Sequence, residues 1–184
     1  MKVTEVYVYF WGGFLSNWHV CPIDAEIEGR KVHFTSSEQY FMYMKAITFH
    51  DNDVAEAILI NGTDPKIAKE LGRKVYPYDD KVWNAVRYDI MKEAVYQKFK
   101  QNETLKEELM SDTYDGKHFV EGSPYDGIWG IKCHWKDALD DKSNWNGENL
   151  LGKALDEARE RIAIEEDYVE YKPTEKPSHS FKRK

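Results

Sequence analysis

The chain has 184 residues, 41% of them hydrophobic and 14% aromatic, which is enough apolar material for one domain with a sizeable core. Its formal charge is −7, but residues 172–184 hold five Lys/Arg against one Glu, leaving about −11 on the rest. An acidic body argues against sequence-independent binding along duplex DNA, and no apolar run approaches the ~20 residues of a membrane-spanning helix.

In chain order, residues 3–10 alternate β-branched, aromatic and polar types, which predicts a strand ending at Gly12-Gly13. Phe14 to Trp18 follows as a loop. Residues 23–27 and 31–34 flank Glu28-Gly29 and predict a hairpin. From Ser36 onward helices dominate. Residues 53–60 are apolar-periodic, and Asp64-Pro65 is a cap and first turn for a short helix that Gly72 ends. The longest helical pattern runs over 80–101, with Val82, Val86, Ile90, Ala94, Val95 and Phe99 on its core stripe. A short helix is expected over 104–110, a strand over 118–121 and a turn-rich loop over 123–130. Residues 131–147 read as irregular, with Asp140, Asp141, Asn144 and Gly147 as breakers, and 148–164 closes the fold as a helix. The sum is α+β, mostly helical, with a small antiparallel element near the N-terminus. Residues 1–166 are expected to form the domain and 167–184 a basic, disordered tail.

The N-terminus lacks the basic head and apolar run of a signal peptide. Cys21 and Cys133 match no zinc or redox spacing. A reduced, cytoplasmic protein without metal or cofactor is the expectation.

The most informative segment is 35–45. Glu38 and Lys45 lie seven residues apart on one helical stripe, roughly 10 Å apart along the axis, with Phe41 and Met42 between them. A carboxylate and an amine on a face suited to burial are costly unless satisfied, and catalytic groups are often housed this way. The same residues also allow a structural reading, with Thr35 and Glu38 as a capping box and Lys45 reaching to water.

Five pieces in order resemble the NADAR superfamily of N-glycosidases. They are Leu15-Ser16-Asn17-Trp18; residues 35–41 with Lys45; Trp83 and Arg87 leading to Lys98-Phe99; Asp126 before Trp129-Gly130; and Asn149 to Gly152. The resemblance implies hydrolysis of an N-glycosidic bond between ribose and an exocyclic amine of a heterocycle. The substrate would be a small phosphorylated ribosylamino-pyrimidine of the riboflavin pathway, or ADP-ribose on guanine in nucleic acid. It further implies Glu38 as acid/base or electrostatic stabiliser. Lys45 would be either a phosphate holder or an amine that adds to the anomeric carbon as a Schiff base. Asp126 is the second carboxylate, although Asp in Pro-Tyr-Asp-Gly is ordinarily a turn former. Ser16, Asn17, Trp18 and Phe41 would border the pocket. Trp129 would stack on the base beside Gly130, and Trp83 fits the core more readily. Arg87 and Asn149 would contact phosphate. Two departures stand out, because many relatives carry Gly at the position of Lys132 and Lys at that of Glu148. A module that binds ADP-ribose or a nucleotide without turnover is the alternative. Oligomeric state is not legible.

Overall fold

The computed structural model describes residues 1–138 and 142–165. The expected tail and the breakers Asp140 and Asp141 lie outside the described residues. Five strands, β1 (Lys2–Val3), β2 (Tyr7–Phe10), β3 (Val20–Ile27), β4 (Arg30–Ser36) and β5 (His118–Glu121), combine with seven α-helices among those residues. The helices are α1 (Ser37–Thr48), α2 (Asn52–Asn61), α3 (Pro65–Gly72), α4 (Asp80–Gln101), α5 (Glu103–Leu109), α6 (Trp135–Ala138) and α7 (Leu150–Glu165). The fold is α+β.

The hairpin β3–β4 turns through Glu28 (φ 51°) and Gly29 (φ 77°) and pairs Ile27 with Arg30. Two successive positive φ angles match the right-handed twist of the flanking strands, which is why a Gly-containing pair sits there. The expected strand over 3–10 is broken instead. Thr4 accepts the Tyr7 N–H through Oγ1 at 3.0 Å and donates its own N–H to the Tyr7 carbonyl at 2.8 Å, so a turn separates β1 from β2.

The sheet is not only antiparallel. β1 pairs antiparallel with β2, but β2 pairs parallel with β5, with Phe10 opposite Glu121. Alternation along this pair serves two cores. Val8, Phe10 and Phe119 face the main one, and Tyr7, Tyr9 and Val120 face a second cluster with Ile131 and Ala138. A parallel pair buried on both faces is the usual arrangement. Because parallel strands finish at the same edge, the loops after Phe10 and after Glu121 emerge side by side.

Helix α1 is capped by Ser36, not Thr35. The Ser36 hydroxyl accepts the Gln39 N–H at 3.1 Å, and Gln39 Oε1 accepts the Thr35 N–H at 2.8 Å. Helix α3 starts at Asp64-Pro65 as expected, with the Asp64 carboxylate accepting the Lys66 N–H. In α4 the core stripe is displaced by one residue at its start. Val82 is exposed, whereas Trp83 and Met91 are buried with Ala94, Val95 and Phe99. The region 131–147 holds the short α6 and a 3₁₀ turn over Lys142–Asn144.

Candidate active site

The loop after β2 begins with Gly12 and Gly13 at φ 87° and 74°, a conformation that side-chain-bearing residues adopt only with strain. It then folds back on itself, with the Ser16 N–H donating to the Gly13 carbonyl and the Trp18 N–H to Ser16 Oγ. Asn17 joins this loop to the first turn of α1 twice over. Its carbonyl accepts the Glu38 N–H at 3.0 Å, and its side-chain amide donates to Glu38 Oε2. The Trp18 indole also hydrogen-bonds the Glu38 carboxyl.

Glu38 is therefore buried and held by donors, although it takes no part in the cap. Burial pushes its carboxyl up to about 7, opposed by Lys69, reinforced by Asp126, and opposed again by Trp18 and Arg73.

The second loop follows β5. Ser123 Oγ accepts the N–H groups of Tyr125 and Asp126, while Asp126 Oδ1 accepts those of Ile128 and Trp129 at 2.8 Å each. Asp126 is thus a turn former through one oxygen, and it lines the cavity as well. Glu121, the last residue of β5, is a third carboxyl in the wall. Burial pushes it up to about 7, helped by the charges of Asp126 and Glu38 and opposed by Lys69.

These elements enclose a cavity of about 670 Å³, within the range of small-molecule sites. Glu38, Glu121 and Asp126 line it together with two cations, Lys69 of α3 and Arg73 just past its end. Aromatic walls come from Trp18, Phe41 and Trp129, with the Phe41 and Trp129 rings edge to face at 5.2 Å. Exposed Trp11 and Tyr125, 6.0 Å apart, stand at the mouth.

Of the expected site residues, Ser16, Asn17, Trp18, Glu38, Phe41, Asp126 and Trp129 converge on this cavity. The other five are placed elsewhere. Lys45 shares the stripe of Glu38, but the C-terminal end of α3 packs between them. A Cβ on Gly72 would fall inside the van der Waals radius of Met42 Sδ, and the Gly72 carbonyl captures Lys45 Nζ at 2.9 Å. The amine also lies 4.4 Å from the centre of the Tyr78 ring. Trp83 is a core residue behind Phe41, at 5.0 Å. Arg87 is half-buried on α4, within electrostatic reach of the Tyr78 phenol. Gly130 is packed where a Cβ would meet the Glu121 carbonyl at 2.8 Å. Asn149, at φ 53°, clamps β5 from behind by accepting the Glu121 N–H and donating to the Phe119 carbonyl, both at 2.9 Å.

Sequence reasoning missed Lys69, Arg73, Glu121, Trp11 and Tyr125. The signal for Lys69 and Arg73 was faint: two cations four apart, on and just past a short helix that also carries Lys66 and Glu70.

The chain belongs to the NADAR domain family, whose model matches residues 9–163. Protein irg-1 of Caenorhabditis elegans is 40% identical over 180 residues, covering 90% of this chain and 84% of that one. An N-glycosidase of Acanthamoeba polyphaga mimivirus is 34% identical over 167 residues, covering 85% of this chain and 96% of its own. The Escherichia coli N-glycosidase YbiA is 32% identical over 153 residues, 83% of each chain. Its NMR structure matches this fold with a TM-score of 0.70 at 26% identity, covering 92% of both chains. Among the described residues no helix is long and apolar enough to cross a membrane.

Proposed function

We propose that this N-glycosidase cleaves the bond between ribose and an exocyclic amine of a heterocyclic base. The observation that carries the proposal is the convergence of Glu38, Glu121 and Asp126 with Lys69 and Arg73 on one aromatic-walled cavity. Breaking such a bond requires a proton for the departing amine and negative charge beside the developing oxocarbenium ion, and three carboxyl groups can divide that work. Glu38, fixed by Asn17 and Trp18, faces the sugar as the charge stabiliser, with Asp126 as the second carboxylate. Lys69 and Arg73 receive the phosphate, since they bring the cavity's cationic charge. The aromatic walls hold the heterocycle.

The substrate class is a small phosphorylated ribosylamine, such as a ribosylamino-pyrimidine phosphate, because the acidic body would repel a nucleic-acid polymer. One observation favours ADP-ribosylated guanine instead. Trp11 and Tyr125 are exposed at the mouth, where a base carried on a longer strand could stack. A reducing, cytoplasmic setting suits the two free thiols of Cys21 and Cys133.

The test is incubation of the purified protein with each substrate type, followed by detection of released ribose phosphate or ADP-ribose. Glu38→Gln should lower turnover by about 10²–10⁴-fold while retaining substrate binding. Binding without turnover in both wild type and variant would mark a reader module and overturn the hydrolase proposal.

A further inference from the structure

Glu121 is a half-buried carboxyl whose environment differs from that of Glu38. Both line the same cavity. Glu38 receives hydrogen bonds from the Asn17 amide and the Trp18 indole, and an indole N–H can only donate. Such donors favour the ionised carboxylate. Glu121 Oε2 is buried and lacks a hydrogen-bond partner among the described residues. Its backbone is nonetheless rigid, pinned by Asn149 through the N–H and opposite Phe10 in the parallel pair.

A bare carboxylate oxygen in that position would carry an unsolvated charge beside two other carboxylates. Protonation removes that cost, and Glu121 lines the cavity, so its acid form lies where a substrate would bind. Resting on the N-glycosidase reading above, we infer that Glu121 is the acid that protonates the leaving amine, while Glu38 remains the carboxylate that stabilises the sugar cation. The groups that face Glu121 are Glu38 from α1, Lys69 from α3 and Asp126 from the following loop. Burial is the main cause of the raised pKa of Glu121, with Asp126 and Glu38 adding to it and Lys69 opposing.

The step balances. The Glu121 O–H proton passes to the exocyclic nitrogen as the C1′–N bond breaks, and the bonding pair leaves with nitrogen as a neutral amine. Water then adds to C1′, and the proton it loses restores the Glu121 acid. The net reaction adds one water across the glycosidic bond.

A general acid matters in proportion to how badly the leaving group needs a proton. Two probes separate the roles: a ribosylamino-pyrimidine phosphate, whose amine leaves poorly, and 4-nitrophenyl riboside 5-phosphate, whose phenolate leaves without help. Glu121→Gln should slow the first by about 10²–10⁴-fold and the second by at least about tenfold less, because only the first needs a proton to leave. Glu38→Gln should slow both. The wild-type rate should fall in alkaline solution with the ribosylamino-pyrimidine probe and not with the nitrophenyl probe. Equal losses on both probes, or on neither, overturn the assignment of the proton to Glu121. Failure of wild type on both probes instead overturns the hydrolase reading itself. A ¹³C-carboxyl NMR titration of wild type gives a measurement that needs no variant to fold. A Glu121 carboxyl that is ionised by pH 5 excludes the role.

Discussion

A lysine ammonium with 1% of its surface exposed has to find acceptors inside the fold, and Lys98 finds them in the loop that carries Asn17. Its Nζ donates to the Ser16 carbonyl at 2.8 Å and to the Phe14 carbonyl, so an amine on α4 sets the path of the segment that grips Glu38. Burial drives this amine down to about 7, and the nearby Cys21 thiol opposes the shift. Lys98→Met would leave two loop carbonyls without their donor. Loss of about 1–3 kcal/mol is expected in urea unfolding, with turnover falling in parallel as the Asn17 clasp loosens. A variant that melts like wild type and turns over normally would show that the loop holds itself. Lys132 is the opposite case, a side chain whose cost lies in its backbone. It sits at φ 48°, donating its N–H to the Asp126 carbonyl at 3.0 Å. The left-handed region penalises a Cβ, so Lys132→Gly should stabilise the protein by up to about 1 kcal/mol, visible as a small rise in melting temperature. The sequence alone could mark this position as unusual, but it could not supply the angle.

At the scale of elements, the first turn of α1 shows what the sequence leaves open. The pattern S/T-x-x-E/Q occurs in two registers, Thr35 to Glu38 and Ser36 to Gln39, and both satisfy the same local rule. Packing chooses the second, which frees Glu38 to turn inward. Ser36→Ala should therefore cost about 1 kcal/mol in thermal or urea unfolding. Thr35→Ala should not remove the cap, because the Thr35 hydroxyl instead reaches Gln39 and the Thr63 carbonyl. Helical spacing likewise places Glu38 and Lys45 on one stripe but cannot show that α3 divides it. Elements with local signatures were legible: the Glu28-Gly29 turn, the Asp64-Pro65 start of α3, and α4 with both ends. Pairing over distance was not, because nothing near Tyr7 or His118 announces that they lie side by side in a parallel sheet. The close approach of α7 to β5 is equally hidden. A Cβ on Gly152 would overlap the Phe119 carbonyl, so Gly152→Ala should destabilise by about 1–3 kcal/mol as α7 is pushed from the strand. Unchanged unfolding in that variant would contradict the packing.

At the scale of the whole molecule, the site exists only because separated segments close on one another. Asn17, Glu38 and Asp126 could be suspected from local sequence. Glu121, Lys69 and Arg73 join the cavity only once β5 and α3 are seated, which is why they were missed. The assembled cavity then imposes a thermodynamic signature on the entire fold. Glu38 and Glu121 rise from an ordinary 4.5 to about 7, so the folded state keeps protons at pH values where the unfolded chain has released them. Stability from this pair is fully present below about 4.5, declines as pH rises toward 7, and is level above that. His118 adds a smaller loss in the same direction. Its hydrogen bond to Asp156 raises its pKa, and the stability it brings is present below the ordinary value of 6.5 and lost as pH rises through the folded one. The partial exposure of that pair keeps its contribution small. Removing a buried charge should thus relieve the fold in alkaline solution. Glu121→Gln is expected to unfold at higher urea than wild type at pH 8, by on the order of 1–3 kcal/mol, and to match it near pH 4.5. The comparison between the two pH values cancels any general effect of the substitution. A variant that gains nothing relative to wild type between pH 4.5 and pH 8 would mean that the Glu121 charge costs the fold nothing, and the cavity would lose its mark as a site where stability has been given up for chemistry.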